Sequence, residues 1–428
     1  MTSDGAERHR GFRGLGRTQV VTADELTPVE AYRGMLLSLV ERLDPIELKI
    51  PDALGLVLAH DVVATESLPA FANSSMDGYA VVASDLTGAG QDTPVQLRVL
   101  GEVPAGAVEL PPIAPGTTVR IMTGAPLPPG ADAVVPVEVT TEQQGWVAVH
   151  RAARAGEFVR TVGQDVKPGQ HLLSAGHRLR PADIGLLSAV GATRVTCVPT
   201  PRVVILSTGD ELVPAEQTPP PGTIRNSNGP MLAAMVRQVG ALPFTTGIVG
   251  DDRKALAYTF DSNLGHADLF VASGGASAGA HDHLHDVIAQ LGTVASHRVA
   301  MQPGMPQVHG TIGGVPVLGL PGNPVSAFVS FELFVRPVIR TLQGRKDLDR
   351  PTVTAELADG IRAPAHKRAY VRVTLARLDG RWVATPTGNQ GSHVLSSISA
   401  ADGLAEIPED VTEAPAGTRV RVRLLVDG

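Results

Sequence analysis

The spacing of apolar residues changes several times along the chain, and each change predicts a different kind of element. From Thr27 to Leu43 the residues Val29, Tyr32, Leu36, Leu39, Val40 and Leu43 recur at helical spacing. Thr27 suits the N-cap, Pro28 the first helical position, and Glu30 completes a capping box, which predicts a helix over 27–43. Its apolar face can pack on its own chain or on a second subunit. From Leu54 to about Val149 short apolar pieces alternate with Gly and Pro: Val81-Val82, Leu97–Val99, Val119–Ile121 and Ala133–Val135. That pattern predicts a small β-rich domain. Residues 155–180 are turn-rich. Near Thr200 continuous apolar runs take over. Arg202–Leu206, Asp268–Ala272 and Val315–Leu320 each end in a loop of small residues, and helical stretches over 230–239 and 283–291 fall between them. Continuous runs indicate strands covered on both faces, and their alternation with helices indicates an open parallel α/β sheet. Asn323 and Pro324 are placed to cap and start a further helix. After Gly344 strict alternation returns at Val371, Val373, Leu375 and at Val420, Val422, Leu424, which predicts a small barrel or sandwich.

Composition agrees with several modest domains. The 428 residues include 43% hydrophobic and 18% charged side chains, with 46 Gly and 34 Pro, a mix too turn-rich for a helical bundle. A net charge of -7 without a long basic stripe argues against nucleic acid as a partner. Cys197 is the single cysteine, which excludes an internal disulfide and any CxxC zinc or redox site and points to the cytoplasm. No apolar run is long enough to span a bilayer. Residues 1–22, with Arg8, Arg10, Arg13 and Arg17 among glycines, lack the apolar segment of a secretory leader and are expected to be a disordered tail.

In an open parallel sheet, ligands sit at the carboxyl ends of the strands. Three such ends carry small hydroxyl- or amide-bearing loops: Ser207, Thr208 and Gly209; Ser273, Gly274, Gly275 and Ser277; and Pro321, Gly322, Asn323, Pro324 and Ser326. Glycine admits a ligand close to the backbone, and helix-start N–H groups favour anions, so the three together suggest a phosphorylated ligand. Neither a Walker A lysine pattern nor GxGxxG is present. Asp210, Glu211, Asp251, Asp252 and Asp282 crowd the same ends. Carboxylates beside a phosphate call for a cation, and Mg2+ commonly binds through one or two carboxylates plus substrate phosphate. They could also accept from the amide-like edge of a pterin or guanine, or simply cap helices and turns. His281, His283 and His285 fall at a loop-to-helix junction, where solvated histidines are favoured over a metal site. The polar segment Asn73–Ala80 is either a surface turn or a ligand lip with Asp77 as its candidate contact.

Asn73-Ser74-Ser75-Met76-Asp77-Gly78-Tyr79-Ala80 resembles the hallmark loop of the molybdopterin molybdenumtransferases, the family that includes the E domain of gephyrin. Six further segments resemble the same family in order: Arg120–Ala125, Gly163–Val166, Ser207–Glu211, Ser273–Ser277, Gly319–Ser326 and Gly388–His393. The likeness runs from about Thr27 to the C-terminus. It implies four domains: a discontinuous elongated one over 23–53 and 150–180, a β-rich insertion over 54–149, an α/β molybdopterin-binding domain over 181–344, and a C-terminal β-barrel over 345–428. It further implies a homodimer whose cleft joins the α/β domain of one subunit to the inserted domain of the other. The implied reaction takes adenylyl-molybdopterin and molybdate to molybdenum cofactor and AMP with Mg2+. Asp77, Thr123, Asp165, Glu211, Asp251, Pro321, Pro324, Arg298, Arg372 and Ser392 match family active-site positions. The resemblance then gives Asp251 and Glu211 to magnesium or pterin, and Arg298, Arg372 and Ser392 to molybdate or phosphate, since guanidinium suits oxyanions. The chain departs from its relatives at Gln302 and Met305, where they carry lysines. Further partners of the implied enzyme could be the upstream adenylyltransferase and downstream molybdoenzymes. Three alternatives remain at this stage: the adenylyltransferase itself, which would need neither the Asn73–Ala80 loop nor the insertion; a non-catalytic scaffold; and a molybdopterin-binding paralogue with lost or altered transfer.

Overall fold

A computed structural model describes residues 26–274 and 283–425. The chain forms two compact units: one comprises the described parts of Met1–Glu47, Gly55–Ala59 and Thr196–Gly428, and the other Leu48–Leu54 and His60–Val195. None of the described helices is long and apolar enough to cross a membrane.

Helix α1, Val29–Ser38, is shorter than the spacing predicts. Pro28 occupies the N-cap and no side chain caps it. Thr27 is drawn instead into a bridge with Val299, its Oγ1 3.2 Å from His297 Nδ1, and Glu30 pairs with Arg368. Tertiary partners have thus displaced the local capping box. The buried face of Val29, Tyr32 and Leu36 packs on this chain's own α/β core, where the Tyr32 ring meets Phe334 edge-on at 4.9 Å.

The smaller unit is built on a six-stranded sheet of β1 (Gly78–Val81), β2 (Val95–Val103), β3 (Thr117–Ile121), β4 (Ala133–Pro136), β5 (Thr140–Gln143) and β6 (Trp146–Val149), in the order β4-β1-β3-β2-β6-β5. Tyr79, Val81 and Val135 enter one apolar cluster, while Ala80 and Val134 enter another on the opposite face. Both faces are therefore covered, which is why β1 and β4 read as unbroken apolar runs. The sheet begins at Gly78, later than residue 54; Val62–Val63 pairs with His171–Leu173 outside it. Helix α2, Pro181–Ala189, starts on a proline and an acidic first turn.

The larger unit holds a second six-stranded sheet: β7 (Arg202–Thr208), β8 (Leu242–Val249), β9 (Leu269–Ser273), β10 (Gly292–Arg298), β12 (Pro306–Ile312) and β13 (Val315–Leu320), ordered β8-β7-β9-β13-β12-β10; β11, Met301–Gln302, lies outside it. Strands β8, β7, β9 and β13 are mutually parallel, as expected. β12 is the exception: it is antiparallel to both its neighbours, which leaves β10 running with β13 and makes the sheet mixed. β10 and β12 escape the sequence pattern because β10 is mostly exposed or half-buried, while Gln307, His309 and Thr311 interrupt the buried β12, so neither has a continuous apolar run. Along β7, Val203 and Ile205 face one core and Val204 and Leu206 the other. Helix α3 (Asn228–Val239) and the run α6 (Pro324–Ser330) to α7 (Arg336–Leu342), joined by a π turn at Phe331–Val335, cover the first face. Helices α4 (Arg253–Asn263) and α5 (Leu284–Leu291) cover the second.

The C-terminal strands are β14 (Thr352–Leu357), β15 (Arg368–Leu378), β16 (Arg381–Pro386), β17 (Gly403–Ile407) and β18 (Arg419–Leu424). They run β15-β16-β14-β18-β17, and β17 pairs back to β15, which closes a five-stranded barrel. The expectation of barrel or sandwich resolves to a barrel, whose closure leaves no unpaired sheet edge. The short strand β11 adds in parallel to β15 through Met301–Arg368 and Gln302–Ala369.

Candidate active site

The larger unit gathers the strand-end loops. Ser207 stands opposite Ser273, and Ser273 opposite Leu320, so the carboxyl ends of β7, β9 and β13 finish in one row. Gly274 has φ 92°, and a Cβ there would lie 2.4 Å from the Thr208 carbonyl oxygen, so only glycine lets these two loops touch. Asn228, the first residue of α3, ties the ends together: its Nδ2 donates to Ser273 Oγ and to the Gly322 carbonyl, both at 2.7 Å. A side chain at Gly229 would come within 2.9 Å of Ser207 Oγ, so the first turn of α3 sits directly on the end of β7. Pro321 and Ser326 are buried, while Gly322 and Asn323 are exposed. Pro324 opens α6 as expected, but Asn323 does not cap it; its Nδ2 donates to Ser392 Oγ at 3.1 Å. The Val325 N–H donates to the Ser392 carbonyl at 3.1 Å, which docks the barrel loop on the start of α6.

Arg298 ends β10 opposite Pro306. Because β10 runs in the same direction as β13, Arg298 reaches the same sheet edge as Pro321, two strand spacings or about 10 Å away. It is exposed, with Nη2 3.9 Å from the Met305 sulfur. The loop from Val299 is pinned from below, since the buried Gln307 amide donates to the Gly304 carbonyl at 2.7 Å and to Ser330 Oγ at 2.6 Å. Gln302 is exposed on β11. Arg372 is 1% exposed. Its Nε donates to Ser397 Oγ at 3.1 Å and its Nη2 to the Gly391 carbonyl at 3.2 Å, while burial pulls its pKa down to about 10. Two of its nitrogens thus hold the loop that carries Ser392, and positioning that loop is the role the geometry supports for it.

The acidic residues lie at the neighbouring ends of β7 and β8, where Thr208 pairs with Val249. A Cβ on Gly209 would meet the Glu211 carboxylate at 2.4 Å, so this glycine lets Glu211 fold back over the strand end. Asp210 Oδ1 accepts the Asp251 N–H at 3.0 Å, and Asp252 Oδ1 accepts the Ala255 N–H at 2.8 Å as the N-cap of α4. The turn-forming and capping roles therefore account for Asp210 and Asp252. Among the described residues no group of three or more His, Cys, Asp or Glu is arranged around a metal. Glu211 and Asp251 present hard oxygen donors that fit Mg2+, provided substrate phosphate and water complete the shell. His283 Nδ1 accepts from Arg253 Nε at 3.3 Å, and His285 Nδ1 lies 3.7 Å from Asp286. Gly275, Ser277, Asp282 and His281 lie outside the described residues.

The smaller unit organises the Asn73–Ala80 segment. Gly78 is required there, because a Cβ would sit 2.0 Å from the Val135 carbonyl oxygen. Ser74 Oγ donates to the Met76 carbonyl at 2.5 Å, and the Gly124 N–H donates to the Ser74 carbonyl at 2.8 Å. These bonds bring Asp77 and Thr123 together: Asp77 Oδ1 accepts the Thr123 N–H at 2.7 Å and its hydroxyl at 2.8 Å. The N–H first and the hydroxyl second hold the Asp77 carboxyl below its ordinary pKa. Asp165 is exposed, and its N–H donates to the Leu68 carbonyl at 3.0 Å, so its turn is fastened beside the chain that leads into Asn73. Sequence reasoning missed Asn228 and Gly229; their one signal is two asparagines and a glycine at the start of a helix.

Three family models match the chain: the MoeA N-terminal region (domain I and II) over residues 27–191, a probable molybdopterin binding domain over 204–341, and the MoeA C-terminal region (domain IV) over 354–425. Molybdopterin molybdenumtransferase 2 of Mycobacterium tuberculosis is 41% identical over 92% of this chain and 98% of its own length. The molybdopterin molybdenumtransferase of Bacillus subtilis is 33% identical over 88% of this chain and 89% of its own. The crystal structure of the molybdopterin biosynthesis MoeA protein from Pyrococcus horikosii superposes with a TM-score of 0.80 at 33% identity, covering 94% of this chain and all of that one. With matches of this length in sequence and in fold, and with the hallmark loop and strand-end loops built as described, the chain belongs to the molybdopterin molybdenumtransferase family.

Proposed function

We propose that this chain inserts molybdate into adenylyl-molybdopterin, cleaving the phosphoanhydride to release AMP and leaving the metal on the dithiolene. The observation that carries the reading is the shared sheet edge: the ends of β7, β9, β13 and β10 bring hydroxyl- and glycine-rich loops and Arg298 to one rim, with Ser392 of the barrel fastened to Asn323. Backbone N–H groups and hydroxyls in such loops suit the phosphates. Arg298 offers a planar donor fork to molybdate, which is the second anion the site must hold. Arg372 keeps the Ser392 loop in place. Glu211 and Asp251 would hold Mg2+, which when bound offsets the negative charge of the phosphates. Asp77, kept ionised by Thr123, would act from the second subunit of a homodimer. The chain's single cysteine fits a reducing cytoplasm.

The test is AMP release from adenylyl-molybdopterin by the purified protein, with and without molybdate and Mg2+. Molybdate-dependent release that stops on chelating Mg2+ supports the reading, and Asp251→Ala should lower it at least a hundredfold with the oligomeric state retained. Unchanged turnover in that variant would remove Asp251 from the site. A second reading, a paralogue that binds molybdopterin with altered transfer, has one observation in its favour. The Met305 sulfur lies beside Arg298 and Gln302 is on the same loop, at the two positions where the family resemblance implies lysines. Tight binding of adenylyl-molybdopterin without AMP release would select it.

A further inference from the structure

Asn228 offers more to the site than its two anchoring bonds. Its Nδ2 faces the Gly322 carbonyl, which can only accept, and this fixes the orientation of the amide. The other end of the amide, Oδ1, is shut off from solvent and accepts no hydrogen bond among the described residues. An acceptor enclosed without a donor is unfavourable, and native proteins rarely retain one without a use. This one stands where the ends of β7, β9 and β13 converge. Gly229 presses it there, since any larger residue would strike Ser207 Oγ. The residue as a whole is only half-buried, so it stands at the border between the loops and solvent.

We propose that Asn228 Oδ1 is a specificity-determining contact that accepts a hydrogen bond from an uncharged, N–H- or O–H-bearing part of the substrate. The inference rests on the functional reading above and deepens it. A carbonyl oxygen repels the oxygens of molybdate and of the substrate's doubly esterified phosphates, none of which carries a proton near neutral pH. In a site otherwise suited to anions, Asn228 therefore marks the place of a neutral fragment. Adenylyl-molybdopterin offers two: the amide-like edge of the pterin, and the base and ribose of adenosine. The same residue would set both where that fragment lies and how the loops around it are spaced.

The two roles of the amide separate in two variants. Asn228→Ala removes anchor and acceptor together. Asn228→Asp keeps an acceptor but turns a second oxygen towards the Gly322 carbonyl, so a residue needed only as an anchor would suffer more from Asp than from Ala. The probes are neutral, 6-hydroxymethylpterin by fluorescence and adenosine by ligand-observed NMR, with sulfate, which carries no proton near neutral pH, as the anionic control. The expected result is that Asn228→Ala weakens one neutral probe about tenfold, that Asn228→Asp weakens it less, and that sulfate affinity in Asn228→Ala falls by a clearly smaller factor than that of the neutral probe. The probe affected identifies the source of the donor, pterin or nucleoside. Equal losses for sulfate and both neutral probes, or a larger loss in Asp than in Ala, overturn the proposal and leave Asn228 as an anchor. Failure of the wild-type protein to bind adenylyl-molybdopterin at all would instead overturn the functional reading.

Discussion

Asp77 is held by a single neighbour at two points, and both bonds fall on Oδ1. The Thr123 N–H is fixed by the backbone, but the hydroxyl can be removed. Thr123→Val keeps the shape and one donor while deleting the other. Because hydrogen bonds to the ionised form lower a carboxyl pKa, losing one raises it. The acid limb of the AMP-release profile should therefore move to higher pH in Thr123→Val, with the rate near pH 8 changed little; an acid limb left in place would mean that Asp77 does not set it. Other residues also trade a local role for a distant one. Asn323 has the sequence of a helix cap and gives its amide to Ser392, and Thr27 leaves its helix to meet His297. In both cases the competing partner lies far along the chain, at separations that residue spacing does not encode.

At the scale of elements, α2 is fastened by one carboxylate. Asp183, almost fully buried, accepts the Arg180 N–H at 2.8 Å and lies 2.7 Å from His177 Nε2. Burial pushes its pKa up, but the bonds from Arg180 and His177 outweigh burial and bring it to about 2. Its ordinary value is about 3.9, so this contribution is complete above about pH 4 and is lost as pH falls towards 2. The amount is about 2 kcal/mol. Hydrogen exchange of the α2 amides should accelerate between pH 4 and 2 in the wild type beyond the intrinsic trend, and Asp183→Asn should be fast already at pH 5. Strands buried on both faces were legible for a related reason: β7 and β9 feed two cores at once, so Val203–Leu206 and Leu269–Ala272 are apolar throughout and the runs stand out. β10 and β12 were not legible: β10 is an outer strand whose exposed residues include Gly292, Thr293, Ser296 and Arg298, and the inner strand β12 sets Gln307 and His309 beside Val308, so neither has an apolar run to detect. The strand-end loops were found by composition. The contacts that make them a site, Asn228 across to Gly322 and Gln307 up to Gly304, join residues whose spacing announces nothing.

At the scale of the whole molecule, the proposed homodimer makes a statement about ownership of the active site. If Asp77 serves the α/β domain of its partner, chains carrying Asp77→Ala and chains carrying Asp251→Ala should each be inactive alone. Mixed and reassorted, half of the dimers would be hybrids with one intact site in two, so activity should return to about a quarter of wild type. No recovery after verified subunit exchange would place both residues in one subunit's site. The closed barrel and the mixed sheet then need to be seen together. Strand β11 is two residues of the α/β chain that pair with β15 of the barrel, a few positions after Arg298 and at the start of the strand that carries Arg372. The chain just after Arg298 is thus joined by backbone bonds to the barrel strand that carries Arg372. For anyone exchanging modules between relatives, a junction at residue 345 would therefore cut through a joint: the foreign barrel would have to accept Met301–Gln302 as a strand. A graft that transfers 299–428 together with its own β11 keeps the joint intact and is the smaller disturbance, even though it moves more of the chain.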